Sequence, residues 1–210
     1  MAPKIKFTKE EMTEAALRVV RANGIDSLTA KAIADELGTS TQPVFTGFGS
    51  MEAVRWEVYE AAVRLYYKYA AEGLNGKIPF FGFGMQYIRF AREEPQLYRL
   101  LFLTPAGYGR YSAVQAMVHS QEKLRPILMS IYRITGEEAD RYFRDMWLVV
   151  HSISTLIVTG DCPYSDKEIG QILTGFSVSL CRSIKEIPGF VAGDYDRDSI
   201  FAGLTATPQE

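Results

Sequence analysis

Short hydroxyl and amide side chains gather at Ser40, Thr41, Gln42 and Thr46, between Gly38 and the pair Gly47 and Gly49. Side chains of this kind suit base edges and phosphate oxygens, and glutamine can pair bidentately with adenine. The residues around them would hold them on a short helix. Thr29 reads as the N-cap of a helix whose body is Ala30 to Leu37, with Ile33, Ala34 and Leu37 on its inner face and Gly38 as its stop. Ser40 or Thr41 caps the next helix, and Pro43 sits in its first turn, where a missing N–H costs nothing. Two helices joined by a three- to four-residue turn containing glycine have the spacing of a helix-turn-helix. The second helix is expected to end by Thr46, because Gly47 and Gly49 bracket Phe48. Val44, Phe45 and Phe48 are expected to face the core, which leaves Ser40, Thr41, Gln42 and Thr46 outward. So short a helix is marginal in water and needs neighbours. Its free N–H groups can meet a phosphate, and Lys4 and Lys6 form a basic arm of the kind that follows a backbone or a minor groove. The alternative is a helical hairpin that only packs, its hydroxyls capping or facing solvent.

The flanking segments read as helices. Thr8 to Glu11 (TKEE) is a capping-box pattern, and the first helix is expected over Met12 to Ala22, with Met12, Ala15, Ala16, Val19 and Val20 on one face. Ser50 caps a long fourth helix, Met51 to about Glu72. After the weak joint GLNGKIP come helices over Phe80 to Glu93 and Gln96 to Leu103. A seventh runs from Arg110 to Ile134, with Pro126 bending it. Capping boxes at Thr135 and Ser165 open an eighth helix, to about Thr159, and a ninth that stops before Pro188. No strand pattern, internal repeat or low-complexity tract is found. The expected fold is all-α: a three-helix helix-turn-helix domain over residues 1–50, a six-helix ligand-binding and dimerisation domain over residues 51–190, and a loose tail over 191–210 with at best one short turn.

Composition removes several functions. The chain has 210 residues, enough for a substantial core, and a formal charge of −2, which argues against a polybasic coat. Its longest nearly uncharged stretch, Met146 to Gly160, is shorter than the roughly 20 apolar residues of a membrane span. The N-terminus lacks the apolar run of a secretion signal. Cys162 and Cys181 form neither a CxxC pair nor a disulfide framework, and read as thiols in a reducing cytoplasm. With two histidines, a metal site is not expected, nor is a cofactor. No Ser–His–Asp or Cys–His arrangement stands out, so no catalytic residue is assigned.

Aromatic residues are dense between Trp56 and Trp147. Rings with polar tips can line an apolar cavity and orient a ligand. Tyr59, Tyr66, Phe83, Tyr87, Phe90, Tyr98, Phe102, Tyr111, Trp147 and His151 are the candidate lining; a filled core is the alternative. On helices eight and nine, apolar residues alternate with small ones that permit close approach. Leu148, Ser152, Thr155, Leu156, Gly170, Leu173, Phe176, Ser177 and Leu180 are the candidate dimer interface; here the alternative is central core.

The first fifty residues resemble the DNA-binding domain of the TetR family of bacterial transcriptional regulators. The resemblance is carried by AALRVVRANG at Ala15 to Gly24, SLTAKAIADELG at Ser27 to Gly38, TSTQPVF at Thr39 to Phe45, then Phe48, Ser50 and Glu52. The stretch FAREEPQLYRLLF at Phe90 to Phe102 is similar to one in the family's ligand domains. The resemblance implies a DNA face of Lys4, Lys6, Thr29, Lys31, Ser40, Thr41, Gln42, Pro43, Phe45, Thr46 and Ser50. It also implies a homodimer on a palindromic double-stranded operator, with half-sites about 34–36 Å apart or a multiple of that, released by a small, largely apolar or aromatic effector. Three positions depart from the pattern: the family usually has tyrosine at Phe45, often histidine near Gly47, and commonly lysine at Met51. Relatives tend to touch the DNA backbone there, so a smaller salt dependence is expected, about 0.9 in log K per decade of salt for each phosphate left unneutralised. The charges of residues 1–50 balance, in keeping with a modest electrostatic contribution. Helix four, joining Ser50 to Tyr59 and Tyr66, is the expected lever between effector and DNA. Two rivals remain: a helical small-molecule-binding protein or enzyme whose N-terminal helices only pack, and a regulator that answers to a protein partner.

Overall fold

The structure, a computed structural model, describes residues 7–75, 78–104 and 113–205. The described residues form ten α-helices: α1 (Lys9–Asn23), α2 (Ala30–Leu37), α3 (Gln42–Phe48), α4 (Met51–Leu74), α5 (Pro79–Glu93), α6 (Pro95–Tyr98), α7 (Ala113–Tyr132), α8 (Gly136–Thr159), α9 (Asp166–Glu186) and α10 (Arg197–Thr205). A π-helical turn, Arg99–Leu103, continues α6. An all-α chain with a small N-terminal cluster and a larger C-terminal bundle is therefore observed.

Helix starts follow local chemistry. The capping boxes at Thr8, Thr135 and Ser165 are all formed, each satisfying two backbone N–H groups. The first box sets the start of α1 at Lys9, a turn earlier than the apolar stripe alone suggests. That stripe is buried as expected, from Met12 to Val20, and faces α2 and α4. Leu28 plugs the same core.

α3 passes Thr46 and continues to Phe48, contrary to expectation. The glycine at position 47 serves close packing rather than termination: a Cβ there would lie 2.3 Å from Met12 Cε of α1. Gly49, at φ 76°, ends the helix instead. Phe45 is a second correction. It is 47 % exposed and faces solvent, whereas Val44, at 1 %, takes the inward position. Phe48 is half-buried, with the Lys9 ammonium 5.7 Å from its ring. Thr41 stands at the N-cap position without capping through its side chain.

α4 and α5 form an antiparallel hairpin whose backbones meet at two glycines. A Cβ on Gly82 would lie 2.1 Å from the Gly73 carbonyl oxygen, and one on Gly73 would lie 2.5 Å from the Gly82 backbone. α5 packs on α8, and α7 and α9 flank α8. α7 ends at Tyr132, short of Ile134, where Arg133 turns left-handed at φ 54°. The tail holds α10, nine residues long, where at best one turn is expected. Asp196 starts it by accepting the Ser199 N–H at 3.0 Å; its apolar residues Ile200, Phe201 and Leu204 fall on one side of the helix, yet Phe201 and Leu204 stay exposed. Among the described residues no helix is long and apolar enough to cross a membrane.

Candidate DNA-reading face and buried aromatic site

α1 and α2 prop α3 so that one face of it stays free. Ser40, Thr41, Gln42, Phe45 and Thr46 are exposed, and Pro43 is half-buried. Gln42, Phe45 and Thr46 stand at i, i+3 and i+4, which places them side by side on one helical face. The Thr46 hydroxyl donates to the Gln42 carbonyl at 2.9 Å, so its oxygen is left to accept. Thr29 and Ser50 flank the face as N-caps. Thr29 Oγ1 accepts the Ala32 N–H at 3.0 Å, and Ser50 Oγ accepts the Ala53 N–H at 3.2 Å. Each keeps its own proton for another acceptor, such as a phosphate oxygen. Lys31 is exposed beside them. Lys4 and Lys6 lie outside the described residues. Other cations of the cluster are engaged internally: Lys9 pairs with Glu57, Arg18 with Glu36 at 2.6 Å, and Arg21 with Glu94.

The aromatic residues close on one another. Tyr66 meets Tyr87, Phe90 and Phe102 with centroids 5.7, 5.6 and 5.2 Å apart. Tyr98 meets Phe102 at 5.0 Å, and Trp147 stacks on His151 at 4.7 Å. Phe83 belongs to a neighbouring pair with Phe143, at 6.2 Å. Tyr59 lies apart, stacked on Trp56 in an open cleft at the start of α4. Tyr111 lies outside the described residues. The described rings thus pack closely on one another. An apolar cavity of about 240 Å³ sits elsewhere, between α5, α8 and α9, against Phe80, Phe81, Met146, Val150, Leu173 and Val178. Of the aromatic residues between Trp56 and Trp147, Phe80, Phe81 and Tyr132 line this one.

Polar atoms run through the cluster. The Tyr87 and Tyr98 hydroxyls both lie 3.0 Å from His151 Nδ1. In a neutral imidazole that nitrogen has either one lone pair or one proton to offer, according to the tautomer, so the two compete. Tyr98 has further acceptors in the His151 carbonyl and Thr155 Oγ1, each at 3.3 Å. Burial lowers the His151 pKa, keeping the ring neutral near pH 7, and raises those of Tyr87 and Tyr98. Among the described residues, Tyr66 Oη, Trp147 Nε1 and Ser154 Oγ are buried here without a hydrogen-bond partner. Ser120 is near enough to Tyr66 to offset part of the burial effect on its hydroxyl, but not in bonding geometry. Ser154 stands in the same relation to Tyr98.

One connection leaves no trace in the sequence. Arg21 of α1 grips Glu94 with two guanidinium nitrogens, one bond measuring 2.7 Å, and Glu94 is only 5 % exposed. Glu94 is the N-cap residue of α6, which carries Tyr98 and leads through the π-helical turn to Phe102. The ring cluster thus reaches the N-terminal cluster through α6 as well as α4. The partners are 73 residues apart, and neither carries a local signal.

On α8, Leu148, Ser152 and Leu156 form an exposed i, i+4, i+8 stripe. On α9, Phe176 is exposed, and Gly170, Ser177 and Leu180 are half-buried. Two interface candidates point inward. Leu173 is 2 % exposed and reaches the apolar cavity, and Thr155 bonds the His151 carbonyl at 2.9 Å. Among the described residues no group of His, Cys, Asp and Glu could hold a metal ion.

The chain is similar to known proteins in both parts. Residues 12–58 match the model described as bacterial regulatory proteins, tetR family, and residues 80–173 match that of the tetracyclin repressor-like C-terminal domain. A Mycobacterium tuberculosis protein described as an uncharacterized HTH-type transcriptional regulator is 26 % identical over 159 residues, spanning 74 % of this chain and 72 % of that protein. The proteins of this family are DNA-binding regulators rather than enzymes. With the N-terminal helix-turn-helix and the C-terminal helical bundle each matched by a model of the same family, the chain belongs to the TetR family of bacterial transcriptional regulators.

Proposed function

We propose that the chain is a ligand-responsive repressor that binds a palindromic operator as a homodimer and lets go when an uncharged, largely apolar or aromatic effector binds. The observation that carries this reading is the exposed face of α3, where Thr41, Gln42 and Thr46 project from a helix with no other evident use for them. The Leu148–Ser152–Leu156 stripe and Phe176 supply the apolar face on which two copies pair, giving two recognition helices per molecule. The effector site is the ring cluster. Its unpaired Tyr66, Trp147 and Ser154 atoms await a polar group on a ligand. Neutral His151 offers no charge to an ionised ligand. Effector and operator favour different separations of the two α3 helices, so each weakens the other by the same factor. α4 and the Arg21–Glu94 link transmit the difference.

Selection of bound sequences from random DNA tests the reading. The expected result is an inverted repeat with half-sites about one helical turn apart, or a multiple; no enrichment refutes it. The tight ring packing favours a second reading, in which the regulator answers to a protein partner. A screen of neutral aromatic compounds for raised melting temperature separates the two: stabilisation by compounds that also release DNA supports the first.

A further inference from the structure

Among the described residues before Ile78, Phe45 is the one large apolar side chain left substantially exposed. The inward positions of α3 are held by Val44 and Phe48, so the ring has no place in the core. It stands beside Gln42 and Thr46 on the face that projects from the cluster. Leaving such a ring in water forgoes the burial that every neighbouring apolar side chain enjoys. The ring has no hydroxyl with which to bond a phosphate. On the base edges of the major groove, one group is apolar: the C5-methyl of thymine. Gln42 and Thr46, its neighbours at i−3 and i+1 on that face, can hydrogen-bond base edges, which would set the ring against an adjacent base rather than the sugar–phosphate chain.

We infer that Phe45 reads the C5-methyl group of a thymine in each operator half-site. The inference rests on α3 being the DNA-facing helix. It assigns sequence discrimination to a position where the family pattern places a hydroxyl. Packing against one methyl carries roughly the worth of one buried carbon, about fourfold in affinity per half-site and about fifteenfold when both methyls are removed.

The test uses the sequence recovered from random DNA, with each dT in turn, and its symmetry mate, replaced by dU. This removes the methyl and nothing else. One symmetric pair of positions is expected to weaken wild-type binding by about fifteenfold, and to have no effect in Phe45→Ala. The readout is a ratio within one protein, so a general loss of affinity or stability in the variant cancels. If no dT position is sensitive, or if Phe45→Ala keeps the sensitivity, the inference is overturned while the DNA-binding reading stands. If no sequence is selected at all, both fall.

Discussion

Tyr66→Phe removes one oxygen from the middle of the ring cluster and is expected to make the protein more stable. The Tyr66 side chain is 3 % exposed, and its hydroxyl has no hydrogen-bond partner among the described residues. A buried hydroxyl left unpaired gives up about 1–3 kcal/mol that water would have supplied. Deleting it returns that amount, less the dispersion attraction of one atom, which at ~0.1–0.2 kcal/mol per neighbour comes to about 0.5 kcal/mol. The net gain is about 1 kcal/mol, or roughly 2–4 °C in the melting midpoint of a chain this size. Urea unfolding at fixed protein concentration, followed by circular dichroism, measures it directly, with an unchanged m value showing that the same surface unfolds. Tyr98→Phe supplies the opposite sign. Its hydroxyl lies within bonding distance of His151 Nδ1, the His151 carbonyl and Thr155 Oγ1, so its removal is expected to cost about 1 kcal/mol. Should Tyr66→Phe destabilise the protein as much as Tyr98→Phe, the hydroxyl is bonded in the folded chain. Tyr66 would then have no unpaired hydroxyl to offer an effector's polar group.

Gln42→Ala and Thr41→Ala should each weaken specific DNA binding by about 1–3 kcal/mol if these residues read bases; a gel shift that finds both unchanged removes them from the reading set. Gly82→Ala forces a Cβ to within 2.1 Å of the Gly73 carbonyl, and a backbone obstacle cannot yield as a side chain can, so a loss of about 1–3 kcal/mol is expected on urea unfolding. Gly175→Ala, with nothing within 4 Å of its new Cβ, should instead gain about 0.5–1 kcal/mol from helix propensity. Burial holds the His151 pKa below 6.5 in the folded protein, so the unfolded chain takes up the proton first. Its contribution to stability is complete above about pH 6.5 and is lost as pH falls from there through the depressed folded value. His151→Gln should flatten that part of the stability–pH curve, and an unaltered curve would show that other groups set it.

Local rules made much of the architecture readable. Thr8–Glu11, Thr135–Glu138 and Ser165–Glu168 announce three helix starts because a capping box is completed within four residues. The buried stripe of α1 follows from apolar spacing alone. Glycine was the ambiguous letter. Gly38 stops α2 in a left-handed turn, as expected, yet Gly47 sits inside α3, where a side chain would run into Met12 of α1. Both are the same residue type, and only the neighbour tells them apart. α10 escaped because it is nine residues long and buries almost nothing: Ile200, Phe201 and Leu204 are too few to set a period that stands out in the chain.

Legible in the chain, then, were the helices up to α9, the helix-turn-helix spacing and the hydroxyl and amide residues on its outer face. These depend on interactions a few residues long. Tertiary structure alone decided that Phe45 faces solvent, that the described aromatic rings pack on one another, that an apolar cavity lies between α5, α8 and α9, and that Arg21 holds Glu94. Each of these turns on how distant helices are set against one another. The packing that sets them is a sum of many small attractions, none of which is written in any short stretch of the chain.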